Sequence, residues 1–214
     1  RKAVLRTPEA TCRRASEVLL KTSTFIRNLP CFYHMPWEDQ LVLIQQNWAP
    51  LFVLGMAQEG VDFDLREIPA TSLLKKILLN QSSTAMNELG SSSTGASFTE
   101  VQKMKNLLWK FWELDISAKE YAYLKGIILF NSECRALKCL PYVQLLQQEA
   151  QKALMEFISL MFHGSLSRRL ALILQLIASL RDIDAGAIEE LFLRPILGEA
   201  TLNVLLLETL HIKP

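Results

Sequence analysis

Apolar positions recur along this chain at helical spacing, and turn signals cut the pattern into segments with hardly any of the alternation that marks a half-buried strand. Leu19, Leu20, Phe25 and Ile26 form one stripe over residues 8–28, which Pro30 ends because its ring restricts the preceding residue and removes a backbone donor. A second, more apolar helix is predicted over 37–58, and Pro50 inside it predicts a kink or a junction of two helices. Val61-Asp62-Phe63-Asp64 alternates and reads as a short strand. A short helix over 69–79 leads into a Ser- and Thr-rich tract at 80–97, where a mobile loop is expected.

Helical spacing resumes over 98–114, breaks at 115–117, and restarts with Ser117 as the N-cap of a helix ending at Phe130. Two long helices follow, over 140–162 and 165–193, separated by His163-Gly164. Apolar residues run nearly all the way round the second of them, as at Leu170, Leu172, Ile173, Leu174, Leu176 and Ile177, which predicts burial on more than one side. An all-α stack of more than two layers satisfies that demand. Arg194-Pro195-Ile196-Leu197-Gly198 ends the helix and leaves a linker before a terminal amphipathic segment, Leu205-Leu206-Leu207-Glu208-Thr209-Leu210, which is then free to dock or swing independently.

Composition narrows the function. With 214 residues, half of them hydrophobic, the chain can bury one sizeable core, so residues 1–214 are expected to form a single domain with its loop at 80–97. The 23 basic and 22 acidic residues nearly balance, and the basic pairs Arg13-Arg14, Lys75-Lys76 and Arg168-Arg169 lie far apart in sequence, so no concentrated positive field for a phosphate backbone is expected. Each pair reads as a solvated helix face, Lys75-Lys76 being considered separately below. Cys12, Cys31, Cys134 and Cys139 show no C-x-x-C spacing and are expected to be free thiols in a reducing compartment. The longest apolar stretch, 170–180, is interrupted by Gln175 and falls short of the roughly 20 residues of a membrane span, so an intracellular protein without membrane contact is expected. The start at Arg1 leaves room for an upstream region.

Catalysis has little support. His34, His163 and His211 are widely spaced, there is no H-E-x-x-H, Walker loop or dinucleotide fingerprint, and Gly90-Ser91-Ser92-Ser93-Thr94-Gly95 matches a phosphate loop by composition alone. No cofactor is indicated. A small lipophilic ligand stays open, although Trp48, Phe52, Met56, Met104, Trp109, Phe111 and Trp112 supply bulk that would fill its space. Leu74, Ile77 and Leu78 stand at i, i+3 and i+4 and therefore share one helix face, with Lys75 and Lys76 in solvent. Such a face serves either its own core or a hydrophobic groove on another protein.

Arg27-Asn28-Leu29-Pro30-Cys31-Phe32, followed by Asp39-Gln40 and Leu43-Ile44, resembles the signature of nuclear-receptor ligand-binding domains, and Leu205-Leu206-Leu207-Glu208-Thr209-Leu210 resembles their activation helix. The narrower likeness is to the atypical orphan receptors of the small heterodimer partner type. It is carried by Leu74-Lys75-Lys76-Ile77-Leu78-Leu79, Lys119-Glu120-Tyr121-Ala122-Tyr123-Leu124-Lys125-Gly126, Ile128-Leu129-Phe130-Asn131 and Glu190-Leu191-Phe192-Leu193-Arg194-Pro195-Ile196-Leu197-Gly198. The likeness implies a three-layer antiparallel helical sandwich, a nuclear location with a cytoplasmic pool, no direct DNA binding, and a corepressor that occupies the coactivator groove of other nuclear receptors and recruits transcriptional corepressors. A ligand-regulated receptor recruiting coregulators through its own groove is the alternative on the same fold.

The resemblance also assigns residues. Leu74, Ile77 and Leu78 match a leucine-box helix with Ile in the central place. Pro30, Cys31, Phe32, Met35 and Pro36 match a docking element in which Phe32 and Met35 are the anchors, or else plugs of the domain's own core. Arg27 stands at the basic clamp of the chain's own coregulator groove, Glu208 at the acidic clamp, Gln40 and Ile44 on the floor, and Leu206 and Leu210 on the closing helix. Thr209 replaces an apolar residue there and should weaken docking. Ser132-Glu133-Cys134-Arg135 departs from the family's usual proline and acidic residue, so that turn is expected to differ in shape.

Overall fold

A long apolar helix needs cover on every side, and this demand organises the domain. In the computed structural model, which describes residues 1–68, 73–81, 95–164 and 166–197, that helix is α3 (Trp37–Glu59), buried almost continuously from Leu43 to Ala57. Helix α1 (Pro8–Arg27) packs on one side of it through Cys12, Ala15 and Val18, spaced to share a face. Gly55 permits the close approach, since a Cβ there would meet Val18 Cγ1 at 2.7 Å. The short helix α2 (Pro30–Tyr33) bridges α1 and α3.

Helices α5 (Phe98–Glu113), α6 (Ala118–Leu129), α7 (Leu140–Met161) and α8 (Leu166–Arg181) complete the stack. The middle layer is α3 with α6 and α7. α5 and α8 lie on one side of it, and α1 with the final helical segment on the other. This is the three-layer arrangement that the resemblance implies. Ser117 caps α6 as expected, in a capping box where Glu120 N–H donates to Ser117 Oγ at 3.2 Å and Ser117 N–H donates to Glu120 Oε1 at 3.1 Å.

Three local expectations are corrected. Pro50 does not make a junction of two helices: a single helix runs from Trp37 to Glu59 past the hydrogen bond that the proline removes, with Leu51, Phe52 and Leu54 buried just beyond it. The predicted strand at 61–64 is an extended piece that buries Val61 and Phe63, while pairing begins one residue later. There β2 (Leu65–Ile68) joins β1 (Lys2–Leu5) and β3 (Ala96–Ser97) in an antiparallel sheet of order β2-β1-β3, with Leu5 opposite Leu65 and Lys2 opposite both Ile68 and Ser97. β3 takes up the end of the tract expected to be a loop; residues 82–94 of that tract lie outside the described residues.

The third correction concerns the helix expected over 165–193. It stops at Arg181, and Asp184 starts a new turn, α9 (Ala185–Ile188), by accepting from Gly186 N–H at 2.9 Å. A π-helical turn (Glu189–Leu193) and α10 (Arg194–Leu197) follow, the Arg194 N–H reaching back five residues to Glu189 O. The π-turn buries Phe192 against Phe52 and Phe63, with ring centroids 5.8 and 5.1 Å away.

Of the Arg168-Arg169 pair, Arg168 is exposed as expected, but Arg169 is not on a solvated face. Arg169 Nε and Nη2 each donate to the fully buried Glu120 carboxylate at 2.8 Å, Nη1 donates to Leu114 O at 3.0 Å, and the guanidinium lies 4.1 Å from the Phe162 ring centroid. Burial alone would push the Glu120 carboxyl up, but the hydrogen bonds and charge of Arg169, together with the Ser117 amide, outweigh it and hold Glu120 below its ordinary range. The four cysteines are free thiols. Among the described residues no helix is long and apolar enough to cross a membrane.

Candidate functional site

Helix α4 (Leu73–Leu79) carries the first candidate. Its two turns are too short to be stable alone, and in a folded protein such a segment normally gains from burying its apolar stripe. Here the stripe faces water instead: Leu73, Leu74, Ile77 and Leu78 are 75%, 66%, 48% and 63% exposed. Leu73, not anticipated from the i, i+3, i+4 triplet, extends it, and the signal was present as an adjacent leucine one turn before Ile77. Contiguous exposed aliphatic side chains on one helix mark an interaction surface far more often than isolated ones do.

The Pro30 to Pro36 element behaves oppositely. Phe32 is wholly buried, edge-on to Tyr33 with centroids 5.5 Å apart, and Met35 is nearly so. The buried Gln40 amide donates to Met35 O at 2.9 Å, pinning the turn between α2 and α3, and Ile44 lies in the core one turn further on. Half-buried Cys31 offers its carbonyl to the Tyr142 hydroxyl at 3.2 Å. The two expected anchors thus plug this domain's own interior, and Gln40 and Ile44 are buried at the same corner.

Arg27 stands at the same corner, half-buried at the end of α1, where its charge also suits the helix C-terminus. Its Nε and the Tyr33 hydroxyl are buried without a partner among the described residues. Burial pushes the Tyr33 hydroxyl up, against the opposing pull of the Arg27 charge. Leu206, Glu208 and Leu210, expected to complete this groove, lie outside the described residues. Neighbouring Asp39 is fully buried and accepts from Lys138 N–H and Cys139 N–H at 2.8 Å each, so this signature acid ties α3 to the turn before α7.

The bulk expected to crowd the interior divides. Trp48, Phe52, Met56, Met104 and Phe111 are buried, and Trp112 is half-buried with its indole N–H donating to Ala57 O at 2.9 Å. Trp109 is not interior: it is 51% exposed and meets Trp112 edge-on. Pattern alone could not separate the two tryptophans, because they sit three residues apart on the same helix.

A three-layer helical sandwich with the Arg27 to Ile44 signature folded into one corner is the ligand-binding domain of a nuclear hormone receptor; that family matches residues 4–196, and the chain belongs to it. More particularly, the chain is 41% identical over 207 residues to nuclear receptor subfamily 0 group B member 2 of Rattus norvegicus, covering 96% of this chain and 79% of that protein. The Homo sapiens member 2 is 40% identical, over 93% of this chain and 77% of its own length. Nuclear receptor subfamily 0 group B member 1 of Sus scrofa is 39% identical over 99% of this chain, and the chain spans about half of it, 48%. Among solved structures, the ultraspiracle ligand-binding domain of Drosophila melanogaster superposes with a TM-score of 0.66 at 22% identity, over 96% of this chain and 81% of that one, which concerns the fold alone. The protein is therefore a nuclear, non-enzymatic regulator of transcription of the atypical orphan kind.

Proposed function

We propose that this chain represses other nuclear receptors by laying α4 into their coactivator groove, with Leu74, Ile77 and Leu78 as the three anchors. The observation that carries this reading is the exposure of those three side chains on one helix. A helix whose apolar face is already in water need not detach from its own core before docking, so binding bears no unfolding cost beyond ordering α4 itself. Lys75 and Lys76, both exposed, stay on the solvent side. Occupation of the groove excludes coactivator helices, and no chemistry is required. Recruitment of corepressors, a cytoplasmic pool beside the nuclear one, and the absence of DNA contact by this chain belong to the same reading.

The test is competition. A labelled coactivator helix is bound to a purified partner ligand-binding domain and displaced with this protein. Replacing Leu74 and Leu78 together by Ala should weaken displacement by about 2 kcal/mol or more, as expected of hot-spot anchors, with the fold unchanged. Displacement of equal strength by the double variant removes α4 from the interface. The Phe32→Ala variant then asks whether the Pro30, Cys31, Phe32, Met35, Pro36 element adds contacts of its own, and Arg27→Ala asks the same of the chain's own groove.

A further inference from the structure

Trp48, Phe52, Met56 and Phe111 fill the middle of the sandwich, but a cavity of about 630 Å³ opens elsewhere, between α7 and α8. That size falls in the range of small-molecule sites, which in helical folds lie between neighbouring helices. Its wall on α8 is one stripe, Leu170, Leu174, Ile177, Ala178 and Arg181, at the i, i+4, i+7, i+8, i+11 spacing of a single helix face. The stripe runs about 16 Å, apolar along its length and cationic at its end. On α7 stand Gln151, Leu154 and Met155, and Leu154 forms the floor with Ile127 of α6, both buried. None of these residues belongs to α4 or to the Arg27 corner.

The floor is dry while the rims are wet: Met155 and Leu174 are 46% and 51% exposed. Apolar walls facing each other across water gain free energy when an apolar group covers them. Neighbouring helices pack about 8–10 Å apart, so the cleft between their side chains admits one hydrocarbon chain and excludes another helix, itself about 10 Å across. A partner's helix or a second copy of this chain could rest on the rims, and the floor would stay uncovered beneath it.

The end of the cleft selects the head group. Arg181 sits in the last turn of α8, its side chain 27% exposed, and pairs at 3.2 Å with Glu133 from the loop after α6, whose side chain is 74% exposed. A pair with one partner that far into solvent adds little to stability, so an incoming anion displaces Glu133 from the guanidinium at small cost. Asp182, next in sequence, is turned away to Lys103 at 2.7 Å and does not compete.

We infer that this cleft binds a lipophilic carboxylate of the fatty-acid class, its chain between α7 and α8 and its head group on Arg181. The probes are decanoate, whose extended chain fits within the cleft, decanol as the neutral control and decyltrimethylammonium as the cationic one. Each is titrated below its micelle concentration into the whole chain carrying labelled methyl groups. Decanoate should shift the Met155, Leu174 and Ile177 methyls saturably and leave Met56 and Met104 still, and decyltrimethylammonium should bind more weakly by about fivefold or more. Arg181→Gln should weaken decanoate by about fivefold or more without changing decanol, and Glu133→Gln should tighten decanoate about twofold by removing the competing carboxylate.

Equal binding of decanoate and decyltrimethylammonium, no saturable shift, or shifts at Met56 and Met104 in place of Leu174 would each overturn the inference. So would ligand-free dimerisation in sedimentation that Leu174→Glu abolishes, which would give the cleft to a second copy. Should Arg181→Gln perturb the fold, Glu133→Gln decides, since that exposed side chain has little structure to lose: unchanged or weaker decanoate binding there overturns the assignment of the head group.

Discussion

Helix α4 and the Pro30 to Pro36 element look alike as sequence and end up as opposites. Both are short, both carry two or more large apolar residues at helical spacing, and both match docking elements of the same receptor subgroup. In the fold one holds its apolar side chains in water and the other seals them inside. The difference lies in what adjoins them. α2 is trapped between α1 and α3, which converge on it, with Gln40 fastening its turn. α4 follows an edge strand whose pairing with β1 is on one side alone, so it is carried out over the surface where no described element covers it. Hydrophobicity therefore predicts that a segment will be used, and the neighbouring chain decides whether the user is this domain or another.

Mutations should separate the two regions sharply. Phe32→Ala leaves a cavity in a fully buried site and should cost about 3–5 kcal/mol in denaturant unfolding, whereas Leu74→Ala, at an exposed site, should stay within about 0.5 kcal/mol. If both cost the same, α4 is packed in solution and the contrast fails. Arg169→Ala is expected to lie in the same upper range, about 3–5 kcal/mol, because it strands the Glu120 carboxylate without its partner.

That ion pair also sets a pH dependence. Glu120 binds its proton less readily when folded than the roughly 4.3 of a free glutamate, so its stabilisation is complete above that value and is lost as pH falls through the lower folded value. In Arg169→Ala the sign reverses: burial then raises the folded value, and stability should be flat or improve on acidification from pH 6 to 4. Unfolding midpoints from pH 6 down to about 3 check both slopes.

The Leu74 and Leu78 double substitution, costing about 2 kcal/mol or more in groove competition and almost nothing in folding, is the counterpart of Phe32→Ala and ranks next. Ser117→Ala should lose about 1 kcal/mol by opening the capping box, with no effect on groove competition. A change in competition from this variant would mean that α6 and α4 are coupled.

Much of this was legible in the sequence. The bounds of the long helices α1, α3, α5, α6 and α7 follow from the 3.6-residue period and from punctuation by Pro30 and Ser117, which act within a turn or two of themselves. The local triplet at Leu74, Ile77 and Leu78 is legible for the same reason. The sheet was not, since β1 and β2 are each four residues long and owe their conformation to a partner 60 to 66 positions away. Arg169 was misplaced as surface because an arginine's burial depends on a carboxylate 49 positions earlier, Glu120.

Within a single turn of helix, the order of residues fixes period, caps and breaks, because the energies involved pass between groups a few bonds apart. By itself it therefore determined that this chain is helical, where most helices start and stop, and which side chains are apolar enough to need a partner. Which of those side chains found their partner within the domain was decided by tertiary structure alone: burial is a property of whatever comes to lie opposite, and α1, α3 and β1 are brought to their places by contacts between residues remote in the sequence.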